Sequence, residues 1–376
     1  KAAMPFGRSP LPPGSAGNGG LPGARRAGGH PGAWRRRRCR ARIVRMKASW
    51  RFLAEPPTIP GLRLRAFRGP EDFPQMLAVK TAAEAADGVD QPASLEDFAH
   101  TYDHLENCDP AADLVLAEID GRLAAYSRVT WWEEYTGARR YQAFCFVAPA
   151  ARGRGLGTAM LAHNEARLRQ IAAGHAGERT FEVFYNDGEA GAAAVYAAAG
   201  YQPVLHGADM VRPDLEDLPE APLPEGLVVR PPGDDELRKV WEADQEAFRD
   251  HLGTGPPGEN SYREFLDSPY FDPSLWRVAW AGEEVAGQVR SYINQPENRA
   301  MGRRRGYTEN ISVRRPYRRR GLARALLVQS LQAVKERGME EAALGVLTEN
   351  VHGALRLYES VGFRVVRGWT TLRKPF

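Results

Sequence analysis

The sequence predicts a mixed α/β protein, an α+β arrangement around a mixed sheet, built from one domain repeated in tandem. Three paired observations carry that prediction. A strand-like run, a short basic turn containing glycine and an apolar-periodic helix follow one another at Arg152-Gly153-Arg154-Gly155-Leu156-Gly157, and again at Arg318-Arg319-Arg320-Gly321-Leu322-Ala323. Arg152 and Arg318 lie 166 positions apart, and Gly155 and Gly321 repeat that interval. Downstream, the stretch Tyr196–Tyr201 (YAAAGY) is answered at an offset of 162 by Tyr358–Phe363 (YESVGF). Upstream, Leu62–Arg65 is answered at 165 by Leu227–Arg230. Offsets that drift by so few residues mark two copies of a whole domain, because solenoid units are far shorter.

Each copy opens on a strand, Leu62 to Phe67 and Leu227 to Arg230. Helical patterns follow at Glu71 to Ala86 and Leu95 to Glu106, and in the second copy at Asp234 to Phe248 and Ser261 to Leu266. Asp120-Gly121 between the alternating runs Asp113–Ile119 and Leu123–Trp131 predicts a tight hairpin; Ala281–Glu284 between Trp276–Trp280 and Val285–Ile293 predicts its counterpart. A fourth strand, Ala143–Val147 or Asn310–Val313, runs into the basic turn. The helix beyond shows one apolar face, Leu156, Met160, Leu161 and Leu168, matched by Leu322, Leu326, Leu327 and Val334. Gly174 and Gly338 stand where a glycine C-cap belongs. A strand, a short helix and a last strand complete each copy. The predicted organisation is a disordered Arg/Gly/Pro-rich tail over 1–54, an N-terminal domain over 55–212, a Pro-rich linker over 213–225 and a C-terminal domain over 226–376.

The formal charge of +4 is unevenly spread. Residues 1–46 hold Lys1, ten arginines and no acid, a charge of +11, so the remainder carries −7. The tail lacks the apolar region of a secretory signal. It reads either as a basic arm for nucleic acid or acidic partners, or as an upstream extension with Met46 as the start; the second is preferred and nucleic acid is not the expected partner. No run approaches the roughly twenty apolar residues of a membrane span. Cys39, Cys108 and Cys145 form no disulfide framework, which suits a reducing cytoplasm. The histidines show no metal spacing; His100 and His104 are four apart with no third ligand in sight.

Strand, Gly-containing turn and helix N-terminus make an anion cradle, because unpaired amides and the positive dipole end meet phosphate oxygens where no side chain intervenes. The spacing excludes a Rossmann fingerprint and a Walker loop, since neither G-x-G-x-x-G nor Gly-Lys-Ser/Thr is present. Arg314, Arg315 and Arg318–Arg320 also fit a plain solvated basic face.

These residues resemble the GNAT superfamily of N-acetyltransferases twice over. The family loop Arg/Gln-x-x-Gly-x-Gly/Ala is met by Arg152, Gly155 and Gly157, and by Arg318, Gly321 and Ala323; Asn350 followed by Leu357–Phe363 matches the downstream motif. The likeness spans about Gly61–Arg212 and Gly226–Phe376, and its tandem form resembles two-domain acetyltransferases of the mycothiol synthase type. It implies acetyl-CoA as cosubstrate, direct transfer to a small-molecule or peptide amine, and fourth and fifth strands that splay to admit pantetheine. Ile311, Ser312 and Val313 would offer backbone to the coenzyme, with Val147 in that place in the first copy. Arg318–Ala323 and Arg152–Gly157 would wrap pyrophosphate, Asn350 would touch the coenzyme and Tyr358 would protonate the leaving sulfur. A core role is the alternative for Tyr358, whose motif favours catalysis, and for Tyr196 it fits as well as a functional one.

Glu309 stands four residues before Val313, so strand alternation places it in the cleft beside the coenzyme-facing side chains, where it is the expected base. The same count in the first copy falls on Ala143, and Gly188 falls opposite Asn350 with Asn186 nearby, so the first copy is expected to bind coenzyme without turning it over. A non-catalytic acetyl-CoA sensor is the alternative. Asp250–Asn260 and Asn294–Arg305 are the segments expected to select the acceptor, and they carry no readable code.

Overall fold

A computed structural model describes residues 57–251, 253–258, 260–349 and 353–376. The expected tail, 1–54, and Asn350 lie outside them. The N-terminal half runs β1 (Leu62–Ala66), α1 (Phe73–Ala86), α2 (Leu95–Asp103), α3 (Pro110–Asp113), β2 (Leu114–Ile119), β3 (Arg122–Glu133), β4 (Arg139–Val147), α4 (Leu156–Ile171), β5 (Arg179–Asn186), α5 (Ala190–Ala198) and β6 (Gln202–Arg212). The C-terminal half repeats it with β7 (Val228–Arg230), α6 (Leu237–Phe248), α7 (Ser261–Leu266), β8 (Arg277–Ala281), β9 (Glu284–Tyr292), α8 (Gln295–Met301), β10 (Arg305–Val313), α9 (Leu322–Glu336), β11 (Glu341–Leu347), α10 (Ala354–Ser360) and β12 (Arg364–Pro375).

Local chemistry accounts for most boundaries. Ser94 caps α2 reciprocally with Asp97, satisfying two orphan amides. Asp120 and Gly121 both take positive φ, as a tight hairpin between twisted strands requires. Gly338 follows α9 at φ +79°, but Gly174 sits in a 3-10 turn without the left-handed geometry expected of it. Helix α8 falls in Asn294–Arg305, a segment for which no helix is expected above; Asn294 caps it by accepting from the Glu297 amide at 2.9 Å.

The twelve strands of the described residues join one sheet in the order β1-β2-β3-β4-β5-β12-β6-β11-β10-β9-β8-β7. The order reads alike from both ends, with β12 and β6 at its centre. Each of these last strands leaves its own half: β6 pairs with β11 over Gly207–Arg212, and β12 pairs with β5 over Trp369–Pro375. Helices cover both faces. Ser291 of β9 meets Ser330 of α9, whereas its neighbour Arg290 meets Asp244 of α6 at 2.8 Å, so α6 and α9 lie on opposite sides. Ser127 bonds Asn164 of α4 at 3.0 Å in the same way. The α9 core gathers Leu327, Leu331, Leu344 and Phe363, and takes in Leu215 of the proline-rich segment. On the α4 side Leu161, Leu168, Phe181 and Val183 do the same.

Candidate active site

Strands β10 and β11 run parallel and pair only from Arg305–Tyr307 against Glu341–Ala343. Beyond Tyr307 they part, so Ile311, Ser312 and Val313 have no partner on β11. Their counterparts part likewise: β4 and β5 pair from Arg139 to Gln142, which leaves Val147 beyond the opening. Both splayed strands lead into the basic turns. There Gly153 and Gly155 take φ of +70° and +80°, and Arg319 and Gly321 take +60° and +81°. The two turns thus share one backbone shape, and only the first has glycine at both left-handed positions.

Arg319, Arg320 and Gly321 are exposed, as are Arg152 to Gly155. Leu322 and Leu156 are buried and anchor the first turns of α9 and α4. Gly321 cannot cap, and no described acceptor takes the amides of Leu322, Ala323 and Arg324. Those amides and the dipole end behind them therefore face outward, ready for an anion. Gly157 sits in ordinary contact with Val147, at 3.8 Å from its Cγ2 for an added Cβ.

The leading arginines do something other than reach for a ligand. Arg318 donates from Nε to the Val313 carbonyl at 2.9 Å and from Nη2 to the Ala247 carbonyl at 3.0 Å. Arg152 donates to the Val147 carbonyl at 3.1 Å and forks onto Asp87 at 2.7 and 2.8 Å. Each ties the strand end to the C-terminus of α6 or α1, so each braces the turn. Arg319 and Arg154 make no hydrogen bond or ion pair among the described residues, while Arg320 donates to the Glu225 carbonyl at 3.2 Å.

Glu309 is 3 % exposed, and no side chain hydrogen-bonds to its carboxylate. Burial pushes its carboxyl well above the usual range; the Gly345 amide across the gap opposes the rise, and the Asp209 carboxylate adds to it. Asp209 comes from β6 of the other half and is held by Arg367. Glu309 and Val313 do not share a face, however. Glu309 opposes Arg290 and Ser312 opposes Gln288, so β10 carries one extra residue in a β-bulge, with Asn310 at φ +49°. Beyond the bulge the faces invert: Val313 packs with Leu322 and Leu326 on the α9 side, while Glu309 follows Arg290 toward α6.

The bulge also corrects the counterpart. No register shift interrupts β3 and β4, and Arg128 there opposes Phe144. Phe144, not Ala143, holds the place of Glu309; Ala143 packs with Leu161 and Leu168. Neither can take a proton. Gly188 turns at φ +99° against the Asp87 carbonyl, and Asn186 bonds Glu189, so that segment is closed on itself.

Tyr358 packs against the α9 core and its hydroxyl has no hydrogen-bond partner among the described residues. Burial and the Glu309 charge raise its pKa. Tyr196 is equally buried beside Tyr201, its pKa raised chiefly by burial. Glu309 and Tyr358 thus approach the β10–β11 opening from opposite faces of the sheet.

The family model described as Acetyltransferase (GNAT) family matches residues 82–201 and again 237–363. Mycothiol acetyltransferase of Geodermatophilus obscurus is 29 % identical over 301 residues, 78 % of this chain and 91 % of its own length. The protein of that name from Kineococcus radiotolerans is 31 % identical over 293 residues, 77 % and 88 % of the two chains. Among solved structures, a GCN5-related N-acetyltransferase from Sphaerobacter thermophilus aligns with a TM-score of 0.66 at 27 % identity, covering 85 % of this chain and 97 % of its own. A tandem GNAT protein from the clavulanic acid biosynthesis pathway shares the fold at a TM-score of 0.58 and 19 % identity, covering 84 % and 98 %. Two family matches, two splayed strand pairs and two outward-facing helix N-termini agree. The chain belongs to the GNAT family of acetyltransferases and carries its domain twice.

Proposed function

We propose that this N-acetyltransferase moves the acetyl group of acetyl-CoA to a primary amine of a small molecule at the β10–β11 opening, and that the N-terminal half binds coenzyme without reacting. The observation that carries the reading is Glu309, a buried carboxylate with no side-chain partner where the strands part. A carboxyl raised by burial is a stronger base than an exposed one, which suits it to take a proton from an amine or an intervening water. Tyr358, on the other face, has a free hydroxyl and a raised pKa, so it holds its proton until a thiolate needs it. The amides of Leu322 to Arg324 supply the diphosphate cradle, and exposed Arg319 adds positive charge beside it. Phe144 at the place of Glu309 supports the division of labour.

Acetyl-CoA fits the chain as donor: the cradle suits its diphosphate, and the unpaired stretch of β10 suits an extended amide-bearing arm. The relatives' names point to a mycothiol-type amine as acceptor. Both described cysteines, Cys108 and Cys145, are free, as a cytoplasmic protein's would remain. Coenzyme A release, measured with acetyl-CoA across a panel of amines including mycothiol precursors, tests the reading. Turnover that Glu309→Gln lowers by about a hundredfold or more is expected; no turnover with any amine, despite tight coenzyme binding, would favour a sensor.

A further inference from the structure

The N-terminal half replaces the Glu309 site with something different. Arg128 of β3 is 4 % exposed and makes no hydrogen bond or ion pair among the described residues. Its guanidinium lies 4.7 Å from the Phe144 ring centroid and 5.5 Å from that of Tyr102, and it lines a partly open cleft between α2 and the sheet. Phe98, Tyr102, Phe144 and Phe146 make that cleft's apolar walls.

The C-terminal half shows what normally compensates such a cation. Arg290, at the same register, bonds Asp244 of α6 at 2.8 Å and has Glu309 across the strand. Counting from the helix starts, Phe73 and Leu237, Lys80 stands where Asp244 does, and the strand register puts Phe144 where Glu309 does. Both acids are thus missing from the N-terminal half. Lys80 is neutralised by Glu84 at 2.6 Å. Asp97, the carboxylate on the cleft wall, is taken up by the Ser94 amide and hydroxyl and by the Tyr270 hydroxyl. Arg128 alone is left uncompensated. A buried charge without a counterion is costly, and an aromatic-walled cleft around it offers that cost to a ligand.

We propose that this cleft is a binding site for a small organic carboxylate: the acid group forks onto Arg128, and an apolar body lies between the rings of Phe98, Tyr102, Phe144 and Phe146. A planar guanidinium matches a carboxylate in two parallel hydrogen bonds. Lys80 also lines the cleft but is taken by Glu84, so one unpaired cation remains among largely aromatic walls, which suits a monoanion with an apolar tail better than a strongly hydrated phosphate. The site is separate from the Arg152–Gly157 turn, and nothing in it depends on turnover.

Calorimetric titration of the full chain with phenylacetate and hexanoate, against phenylacetamide and inorganic phosphate, tests this. Saturable binding of the carboxylates, with neither the amide nor phosphate bound, is expected. Arg128→Gln should weaken carboxylate binding by at least about thirtyfold. Phe144→Glu supplies Arg128 with an internal carboxylate like that of the other half, and should abolish binding while the thermal transition persists. The proposal is overturned if neither carboxylate binds below about 10 mM, if phosphate binds in their place, or if either folded variant binds as the parent does.

Discussion

Glu309 and Arg290 are cross-strand partners, yet their charges do not meet. Arg290 turns instead to Asp244 at 2.8 Å, and Glu309 is left buried beside the gap between β10 and β11. A strong pairing available within the fold has been diverted. The effect is to keep the carboxyl's pKa high, because a guanidinium at hydrogen-bonding distance would lower it.

Removing that carboxyl should stabilise the protein. With a folded pKa above the ordinary 4.5, Glu309 keeps its proton where the unfolded chain has lost it, so stability falls as pH rises through that window. Glu309→Gln should match the parent near pH 4 and exceed it increasingly toward neutrality, by at most about 1.4 kcal/mol per pH unit. Thermal melts at the two ends of the range check this. Coenzyme A release should fall in the same variant by about a hundredfold or more.

Asp244→Asn would release Arg290 toward Glu309. The Glu309 pKa should then fall, and the acid limb of the pH–rate profile should move to lower pH. An unmoved limb would mean that Arg290 does not reach Glu309 or that Glu309 is not the titrating base.

Tyr358→Phe removes one hydroxyl from a buried ring that packs on the α9 core. Turnover should drop on the order of a hundredfold with coenzyme affinity held, since the ring stays in place. Steady-state kinetics beside coenzyme titration separates this from a packing role, which would lower stability and affinity together.

Arg318→Ala tests the bracing role. Two charged hydrogen bonds to the Val313 and Ala247 carbonyls would be lost, at about 1.5–3 kcal/mol each. Coenzyme affinity in the C-terminal half should fall because the turn slackens, and added guanidinium should not restore it unless it rebuilds those two bonds.

The exchanged strands predict that the halves are interdependent. Residues 226–376 alone would carry β12 without β5, and β11 without β6. Expressed by itself this piece should associate or aggregate through those bare strand edges, whereas co-expression with 57–225 should return a 1:1 complex. Size-exclusion chromatography decides between these outcomes.

The duplicated turns, the paired Tyr-to-aromatic motifs, the hairpins and the apolar faces of α4 and α9 could all be read directly, because each arises from neighbours in the chain and recurs 162–166 positions on. So could the outward amides beneath the turns, which follow from a strand, a glycine and a helix in succession. Helix α8 was hidden by its shortness, although Asn294 before Pro296 was a usable start signal. Tertiary structure decided the rest. A bulge is an extra residue relative to a partner strand, so nothing in β10 alone announces that Glu309 and Val313 face opposite ways, or that Phe144 is the counterpart of Glu309. Which half receives β6 and β12 depends on edge pairing between distant segments. The diverted Arg290 and the uncompensated Arg128 depend on helices packing across the sheet. Alternation and capping are local and leave marks in a sequence; register, strand exchange and charge pairing are relations between remote segments, and only the packed chain sets them.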